Sequence, residues 1–359
     1  MNILLIGPVY TESSWGRACR SYIKAIQTFT NNITVRNLYM GGGTIERSPE
    51  LAQLEKNQFE QYDVLIQMCL PSLFTQDKRI PKNIGIFFSE CEHARSSCIY
   101  PKASLMDLCL VPSKREAIHL IDNGVVAQNI GIPVDPDVYS KDYPVLDKNI
   151  KANPATYTFY TIADHSTRKN LASILYSYMS AFTSADNVSL VIKTNHNIDE
   201  LISNTWKQVR SYPPDLVPRI QTITNRISDD EIYGLHQSCD CFINMSYGES
   251  WCIPALDAKL FGNKVIYTSK TGIEDFTNYE DMSIDSHKVR CKVIDPPLTN
   301  YYTSDDYWYE PNLDSAIKVM KAMVYSKESA PQIKAANLKK YSYEQTGKRI
   351  KACLELLKA

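Results

Sequence analysis

Two acidic residues flank the start of a predicted helix in the second half of the chain. Glu249 stands in a short loop after an apolar run, and Asp257 follows eight positions later, inside the helix. Gly248 lets the loop backbone approach a ligand closely, and Pro254 suits the first turn of a helix. Such a loop offers backbone N–H groups and the positive end of the helix dipole to a phosphate. Because carboxylates can hold sugar hydroxyls, the segment predicts a site for a sugar nucleotide.

Three cations could meet the phosphates of such a ligand. Arg168 and Lys169 follow one predicted strand, and Lys193 follows the next. Two cations at a strand-to-helix turn can neutralise a departing diphosphate, a task that metal ions perform in other proteins. We expect Arg168 and Lys169 to be exposed, so that their removal leaves folding intact. Taken alone, an Arg-Lys pair is more often solvated surface, and Lys193 could equally be structural.

The remaining candidates lie in the same loop and in the first half of the chain. Ser250 and Trp251 complete the loop before the helix and are expected to contact the nucleotide. Gly16 lies between the first strand and its helix, where its backbone could approach a phosphate or a sugar. Glu90 and His93 follow another strand and could hold sugar hydroxyls or orient an acceptor, and their register leaves the choice between them open. No Gly-x-Gly-x-x-Gly fingerprint is present, so no nicotinamide dinucleotide is inferred.

Short apolar strands alternate with helical patterns through both halves of the chain. Strands are predicted at residues 3–6, 33–40, 64–68, 84–88, 108–111, 157–162, 189–192, 241–245 and 264–268. Helices are predicted at residues 16–29, 114–122, 169–182, 198–212, 229–239, 314–325 and 341–357, with another closed by Gly262. Continuous apolar strands between helices favour parallel sheets covered on both faces, with ligands at the carboxyl ends of the strands. Residues 135–154 lose this periodicity and are interpreted as a linker.

Length and composition indicate an ordinary globular protein of two domains. A chain of 359 residues exceeds the size at which a single core usually stops growing. The formal net charge of −1 does not indicate a nucleic-acid or anionic-membrane partner. The ten cysteines include no Cys-x-x-Cys pair, which favours reduced thiols and a cytoplasmic location. The first residues resemble a strand rather than a signal peptide, and no transmembrane segment is expected.

The segment from Ser246 to Ala258 resembles the Glu-x7-Glu signature of the retaining GT-B glycosyltransferases, glycosyltransferase family 4 above all. Ser246, Gly248, Pro254 and Ala258 are in register with that signature, whereas Asp257 is one methylene shorter than the usual Glu. The resemblance covers almost the whole chain. Residues 162–171 match the family's Arg-Lys element, and residues 13–17 resemble its glycine-containing loop with one Gly where two are usual. The resemblance implies an α/β GT-B fold, in which two Rossmann-like domains with parallel sheets face a central cleft.

The same resemblance implies a division of the chain and a reaction. Residues 1–140 would form the acceptor-side domain, residues 155–335 the nucleotide-sugar domain, and residues 336–359 a helix that crosses back to the first domain. A sugar would pass with retention from a UDP- or GDP-sugar to a hydroxyl, by default on a glycan or lipid-linked glycan. Arg168 and Lys169 would stabilise the leaving diphosphate. Glu249 would position the donor sugar and, as a loop acid, tolerate replacement by Gln without loss of stability. No general base, metal or other cofactor is expected.

Two alternatives stay open. One is a glycosyltransferase that acts on a modified nucleic-acid base, which the neutral charge disfavours because phosphate tracking needs a basic stripe. The best candidate for such a stripe is a set of basic residues in the tail, namely Lys339, Lys340, Lys348, Arg349 and Lys351. The other alternative is a sugar-nucleotide-binding subunit with little turnover. Peripheral contact with a membrane is kept open, and nucleic acid is not the expected partner.

Overall fold

A computed structural model describes residues 1–146, 150, 156–209, 216–278, 281–292, 301–325 and 331–357, with the backbone alone for residues 331–333. The chain divides into two compact units. The first unit comprises Met1–Val138 and Asn337–Ala359, and the second comprises Tyr139–Ala336.

The first unit is built on a parallel sheet of six strands in the order β2-β1-β3-β4-β5-β6. These strands are β1 (Ile3–Gly7), β2 (Ile33–Asn37), β3 (Val64–Met68), β4 (Lys82–Ile86), β5 (Leu108–Val111) and β6 (Ala127–Asn129). The accompanying helices are α1 (Ser14–Gln27), α2 (Pro49–Lys56), α3 (Ile99–Ala103), α4 (Lys114–Ile121) and, from the end of the chain, α11 (Tyr343–Leu356). Strands β3 and β5 are buried along their whole length, as expected for a parallel sheet covered by helices.

The second unit repeats this plan with a parallel sheet in the order β12-β11-β10-β7-β8-β9. Its strands are β7 (Tyr157–Ile162), β8 (Val188–Lys193), β9 (Arg219–Ile223), β10 (Cys241–Asn244), β11 (Lys264–Thr268) and β12 (Met282–Ile284). Its helices are α5 (Leu171–Ala181), α6 (Asp199–Val209), α7 (Asp229–Ser238), α8 (Ile253–Phe261), α9 (Leu313–Tyr325) and α10 (Pro331–Tyr341), the last of which runs on into the first unit. An antiparallel hairpin of β13 (Ser286–Arg290) and β14 (Tyr307–Pro311) stands outside the sheet.

Apolar side chains from one face of the second sheet form a core with the helices that cover it. Phe159 on β7 packs edge-on against Tyr178 of α5, and helices α5 and α9 cover the same region. Met320 and Met323 of α9 are fully buried there. This core holds the carboxyl ends of β7, β8 and β10 in fixed positions, and the candidate residues follow these ends.

Most predicted elements are present, with small shifts at their ends. The predicted strands at 157–162 and 264–268 coincide with β7 and β11, and Ser113 caps α4 by accepting a hydrogen bond from the backbone N–H of Glu116. The predicted strand at 84–88 lies two residues earlier, and the one at 33–40 ends at Asn37. Residues 210–212 of one predicted helix, and residues 147–149 and 151–154 of the linker, lie outside the described residues. Described linker residues Pro136–Ser140 form a 3-10 turn.

Several short or polar elements were not predicted. Strand β9 contains three polar residues and buries only its last residue, and β6 has only three residues, so neither gives an apolar run. The hairpin of β13 and β14 was also missed, and its Trp308 is buried.

Helix α11 packs against α1 in the first unit through a glycine. A Cβ atom at Gly347 would lie 2.2 Å from the Thr28 hydroxyl oxygen and 2.3 Å from the Ala25 carbonyl oxygen, so only glycine allows this approach. The Arg349 side chain donates to the Ile130 carbonyl at 3.1 Å. The basic tail residue Arg349 is therefore part of this packing rather than of an open stripe.

Across the described ranges, no helix combines the length and apolar character that a membrane crossing requires.

Candidate functional site

The loop between β10 and α8 is held by backbone contacts from two neighbouring turns. The Tyr247 N–H donates to the Arg168 carbonyl at 2.9 Å, and the Gly272 N–H donates to the Glu249 carbonyl at 2.8 Å. Cys252, just before α8, adopts a left-handed conformation with φ of 69°, and α8 closes at Gly262 as predicted. The loop is therefore a rigid strand-to-helix turn at the carboxyl edge of the sheet.

A single carboxylate oxygen organises this turn. Oε1 of Glu249 lies 2.6 Å from Nζ of Lys169 and 3.4 Å from Nη1 of Arg168. It also accepts from the Ser246 hydroxyl at 2.8 Å and from the Asn244 amide at 3.3 Å. Only 5% of the Glu249 side chain is exposed. Two cations against one anion leave a net charge of +1, which suits a site that receives a phosphate.

The ionisation of Glu249 follows from two opposed effects. Burial raises the pKa of this carboxyl, but the charges of Lys169 and Arg168 and hydrogen bonds from Lys169 and Ser246 outweigh it and bring the pKa to about 2. Glu249 is therefore a carboxylate at neutral pH, and it holds both cations in place.

The expectation that Arg168 and Lys169 are exposed is wrong. Their side chains are 16% and 20% exposed, because the cluster draws them onto the loop. Arg168 also donates to the Gly248 carbonyl at 2.8 Å. Asn170, which follows the pair, adopts a left-handed conformation with φ of 54° and donates from its amide to the Met245 carbonyl. The turn before α5 is thus shaped to bring Arg168 and Lys169 against the β10–α8 loop.

Lys193 stands at the carboxyl end of β8, next to the end of β7, since Lys193 and Ile162 are register partners. Its Nζ donates to the Thr194 carbonyl at 3.0 Å and to Oδ1 of Asn195 at 2.9 Å. Burial lowers the pKa of this ammonium, and the charge of Asp164 partly opposes that effect. The side chain is buried and held by its own turn, so its role toward a phosphate stays a prediction.

Asp257 is buried inside α8 and accepts a hydrogen bond from the Tyr139 hydroxyl at 2.6 Å. Tyr139 itself packs against the rings of Tyr233 and Phe261. Asp257, which is shorter than the Glu usual at this position of the signature, is thus hydrogen-bonded to a tyrosine from the segment before β7. Sequence reasoning missed Tyr139, which lies 118 residues away in a stretch interpreted as linker.

We expect Tyr139→Phe to lower the free energy of unfolding by about 1–3 kcal/mol, because a buried carboxylate loses a charge-assisted donor. Asp257→Asn should have a similar effect. The double variant should lose less than the sum of the single losses, because both substitutions weaken the same hydrogen bond: Tyr139→Phe removes its donor, and Asp257→Asn removes the charge of its acceptor. Urea unfolding of the four proteins measures this coupling. Additive losses would show that the contact at 2.6 Å contributes nothing to stability.

Ser250 and Trp251 lie beneath the loop surface. Both are buried, and the Trp251 ring packs against Phe276 with a centroid separation of 5.1 Å. Trp251 therefore supports the loop from the interior of the second unit, and contact of either residue with a nucleotide stays a prediction.

Of the three candidates in the first unit, Gly16 lies in the first turn of α1 rather than in the loop before it, and Glu90 and His93 lie in the loop after β4. A Cβ atom at Gly16 would lie 1.9 Å from the Thr11 carbonyl oxygen, so close backbone packing requires a glycine there. His93 is buried, and its Nε2 lies 2.9 Å from the Ser89 hydroxyl. Glu90, in the same loop, is half-buried. These contacts show how Gly16, Glu90 and His93 are held in the fold. The roles of the three residues toward a phosphate or a sugar stay predictions.

Each unit carries the α/β plan of a Rossmann-like domain, and the two together define the GT-B fold class. Solved structures agree. HepE from Anabaena in complex with UDP and glucose has a TM-score of 0.61 at 12% identity, covering 99% of this chain and all of that one. An E. coli trehalose-6-phosphate protein bound with UDP-2-fluoro glucose has a TM-score of 0.66 at 8% identity, with 100% coverage of both chains. The predicted GT-B fold is confirmed.

A third similar structure is longer than this chain. A TarM mutant from S. aureus, in complex with fondaparinux, α-GlcNAc-glycerol and UDP, has a TM-score of 0.56 at 12% identity. The likeness covers 81% of this chain and 55% of TarM, so this chain spans about half the length of that protein. No protein-family model and no curated protein matches the sequence.

Proposed function

We propose that the chain is a retaining glycosyltransferase that moves a sugar from a UDP- or GDP-sugar to a hydroxyl of a glycan or lipid-linked glycan. The observation that supports this most directly is the cluster of Lys169, Arg168 and Glu249 at the carboxyl edge of the second sheet. Parallel α/β sheets bind their ligands at this edge. The GT-B fold, shared with proteins whose structures contain UDP or a UDP-sugar, supports the same proposal.

In this proposal the second unit holds the donor. Arg168 and Lys169 contact the diphosphate, and their net positive charge meets the negative charge that grows on it as the glycosidic bond breaks. The electron pair of that bond passes to the diphosphate oxygen. The acceptor hydroxyl attacks the same face of the anomeric carbon, and its proton passes to the leaving phosphate.

Glu249 has a positioning role besides any contact with the sugar. Its Oε1 aligns both cations before the donor arrives, so no reorganisation is needed as charge develops. Ser246, a residue of the signature, and Asn244, which the sequence interpretation did not single out, fix the orientation of this carboxylate.

Incubation with a panel of nucleotide sugars tests the proposal. Slow hydrolysis of one nucleotide sugar would identify the donor. Proton NMR during this hydrolysis, through the coupling constant of the anomeric proton, would show whether the released sugar first has the anomeric configuration of the donor. Release of an inverted sugar would exclude retention. Tight donor binding without hydrolysis, with or without added acceptors, would favour the binding subunit instead.

Activity should persist in excess chelator, because the cations that balance the diphosphate belong to the chain itself. The measurement is initial rate with chelator, compared with the rate after adding magnesium or manganese back. A complete loss that either metal restores would contradict the assigned role of Arg168 and Lys169.

A further inference from the structure

Two exposed histidines form a pair at the carboxyl edge of the second sheet. His165 lies in the turn after β7 and His196 in the turn after β8, and both side chains are exposed. Their ring centroids lie 6.4 Å apart with an interplanar angle of 66°, so the two imidazoles meet edge to face. We call these two residues the histidine pair. It belongs to the region of the proposed donor site, since His165 precedes Arg168 by three residues.

The residues that precede the two histidines join their turns. The Asn195 amide donates to Oδ1 of Asp164 at 3.1 Å, and Nζ of Lys193 donates to Oδ1 of Asn195 at 2.9 Å. The Ala163 N–H donates to the Lys193 carbonyl at 3.0 Å, which continues the pairing of β7 and β8 beyond their ends. The histidine pair is therefore carried by two linked turns rather than by two independent loops.

The order of strands places the histidine pair on one side of the proposed phosphate contacts. Arg168 and Lys169 follow β7, whose neighbours in the sheet are β10 and β8. The loop after β10 carries Glu249, the residue expected to position the donor sugar, and the turn after β8 carries His196. Adjacent strands lie about 4.8 Å apart, so a nucleoside is long enough to reach from one turn to the next. A diphosphate over β7 with its sugar toward β10 therefore directs its nucleoside toward β8.

The loop between β10 and α8 offers little surface on which a base could stack. Ser250, Trp251 and Asp257, the nucleotide contacts expected from the sequence, are all buried. The Trp251 ring packs against Phe276 inside the second unit. The histidine pair, in contrast, presents two exposed aromatic rings at the same edge of the sheet. Histidine is one of the side chains on which proteins stack bases.

Acidic side chains near the histidine pair favour an uncharged ligand there. Asp164 adjoins His165 in the chain and is exposed, and Asp199 and Glu200 begin α6 shortly after His196. Carboxylates repel a phosphate but not a base, because uracil and guanine carry no charge at neutral pH. The histidine pair therefore suits the base of a nucleotide better than it suits a further phosphate.

We propose that the histidine pair binds the base of the donor nucleotide by stacking. This inference rests on the proposed function, whose donor it places with the sugar toward Glu249 and the base over His165 and His196. One imidazole lies against the face of the base, and the other meets its edge. Because every base has a π face, the pair holds uracil and guanine alike.

Calorimetry with UDP, GDP and inorganic pyrophosphate tests the proposal on four proteins. Wild type is compared with His165→Ala/His196→Ala, with His165→Phe/His196→Phe, and with the control His287→Ala, which removes an exposed histidine from β13 of the same unit. Pyrophosphate has no base, so it reports the phosphate contacts alone. Thermal unfolding of the four proteins should agree, since the replaced side chains are exposed.

The Ala variant should raise the Kd of UDP and of GDP roughly tenfold and leave the Kd of pyrophosphate unchanged. The Phe variant keeps two aromatic faces and should bind both nucleotides nearly as tightly as wild type and the control do. An equal loss of UDP and pyrophosphate would assign the histidines to the phosphates and overturn the inference. Unchanged nucleotide binding in the Ala variant, or an equal loss in the Phe variant or the control, would overturn it too. A wild type that binds none of the three ligands would instead defeat the proposed donor site.

Discussion

Replacing Arg168 and Lys169 together by Ala is expected to reduce glycosyl transfer by roughly 10²–10³-fold or more, because the charge that develops on the leaving diphosphate is no longer met. Stability should fall as well. The substitution leaves the Glu249 carboxylate buried without its two counter-charges, and breaking a buried pair in this way costs about 3–5 kcal/mol. Initial rates at saturating donor and urea unfolding measure the two effects.

A third substitution separates catalysis from folding. Adding Glu249→Gln to the double variant removes the uncompensated charge, so most of the lost stability should return while transfer stays low. If the triple variant regained activity along with stability, the double variant would have failed through misfolding. Unchanged kinetics in the double variant would remove Arg168 and Lys169 from the mechanism.

Glu249→Gln alone should destabilise the protein at neutral pH and depress transfer at least tenfold, because two partly buried cations lose the group that aligns them. The pKa of Glu249 falls from 4.5 to about 2 on folding, which corresponds to roughly 3 kcal/mol. A lowered pKa in the folded state means that the ionised form stabilises the fold. This contribution is complete above the unfolded pKa of 4.5 and is lost as the pH falls toward about 2.

The difference in unfolding free energy between wild type and Glu249→Gln should therefore shrink as the pH is lowered through this window. Glu200→Gln is the matched control, since Glu200 is exposed in the first turn of α6 and should leave both stability and transfer unchanged. A constant difference at every pH would contradict the depressed pKa. The sequence alone suggests no stability loss for Glu249→Gln, and the burial of the carboxylate reverses that expectation.

Local patterns in the sequence determined most of the architecture. Largely apolar runs such as Tyr157–Ile162 and Lys264–Thr268 predict buried parallel strands because a strand covered on both faces is apolar along most of its length. A short-range signal was equally reliable at the end of α8, which Gly262 closes as predicted. The loop of Glu249 was located for the same reason, since strand, loop and helix follow one another directly.

Only the tertiary structure decided which partners these residues have. Glu249 meets Lys169 across 80 residues and Asp257 meets Tyr139 across 118, because the order of strands in the sheet, and not the spacing in the chain, brings those segments together. The hairpin of β13 and β14 escaped prediction because its cations and tyrosines share no apolar run. Periodicity reports whether a side chain faces the interior or the solvent, whereas ionic pairing and burial of charge depend on contacts that form only when the whole sheet is assembled.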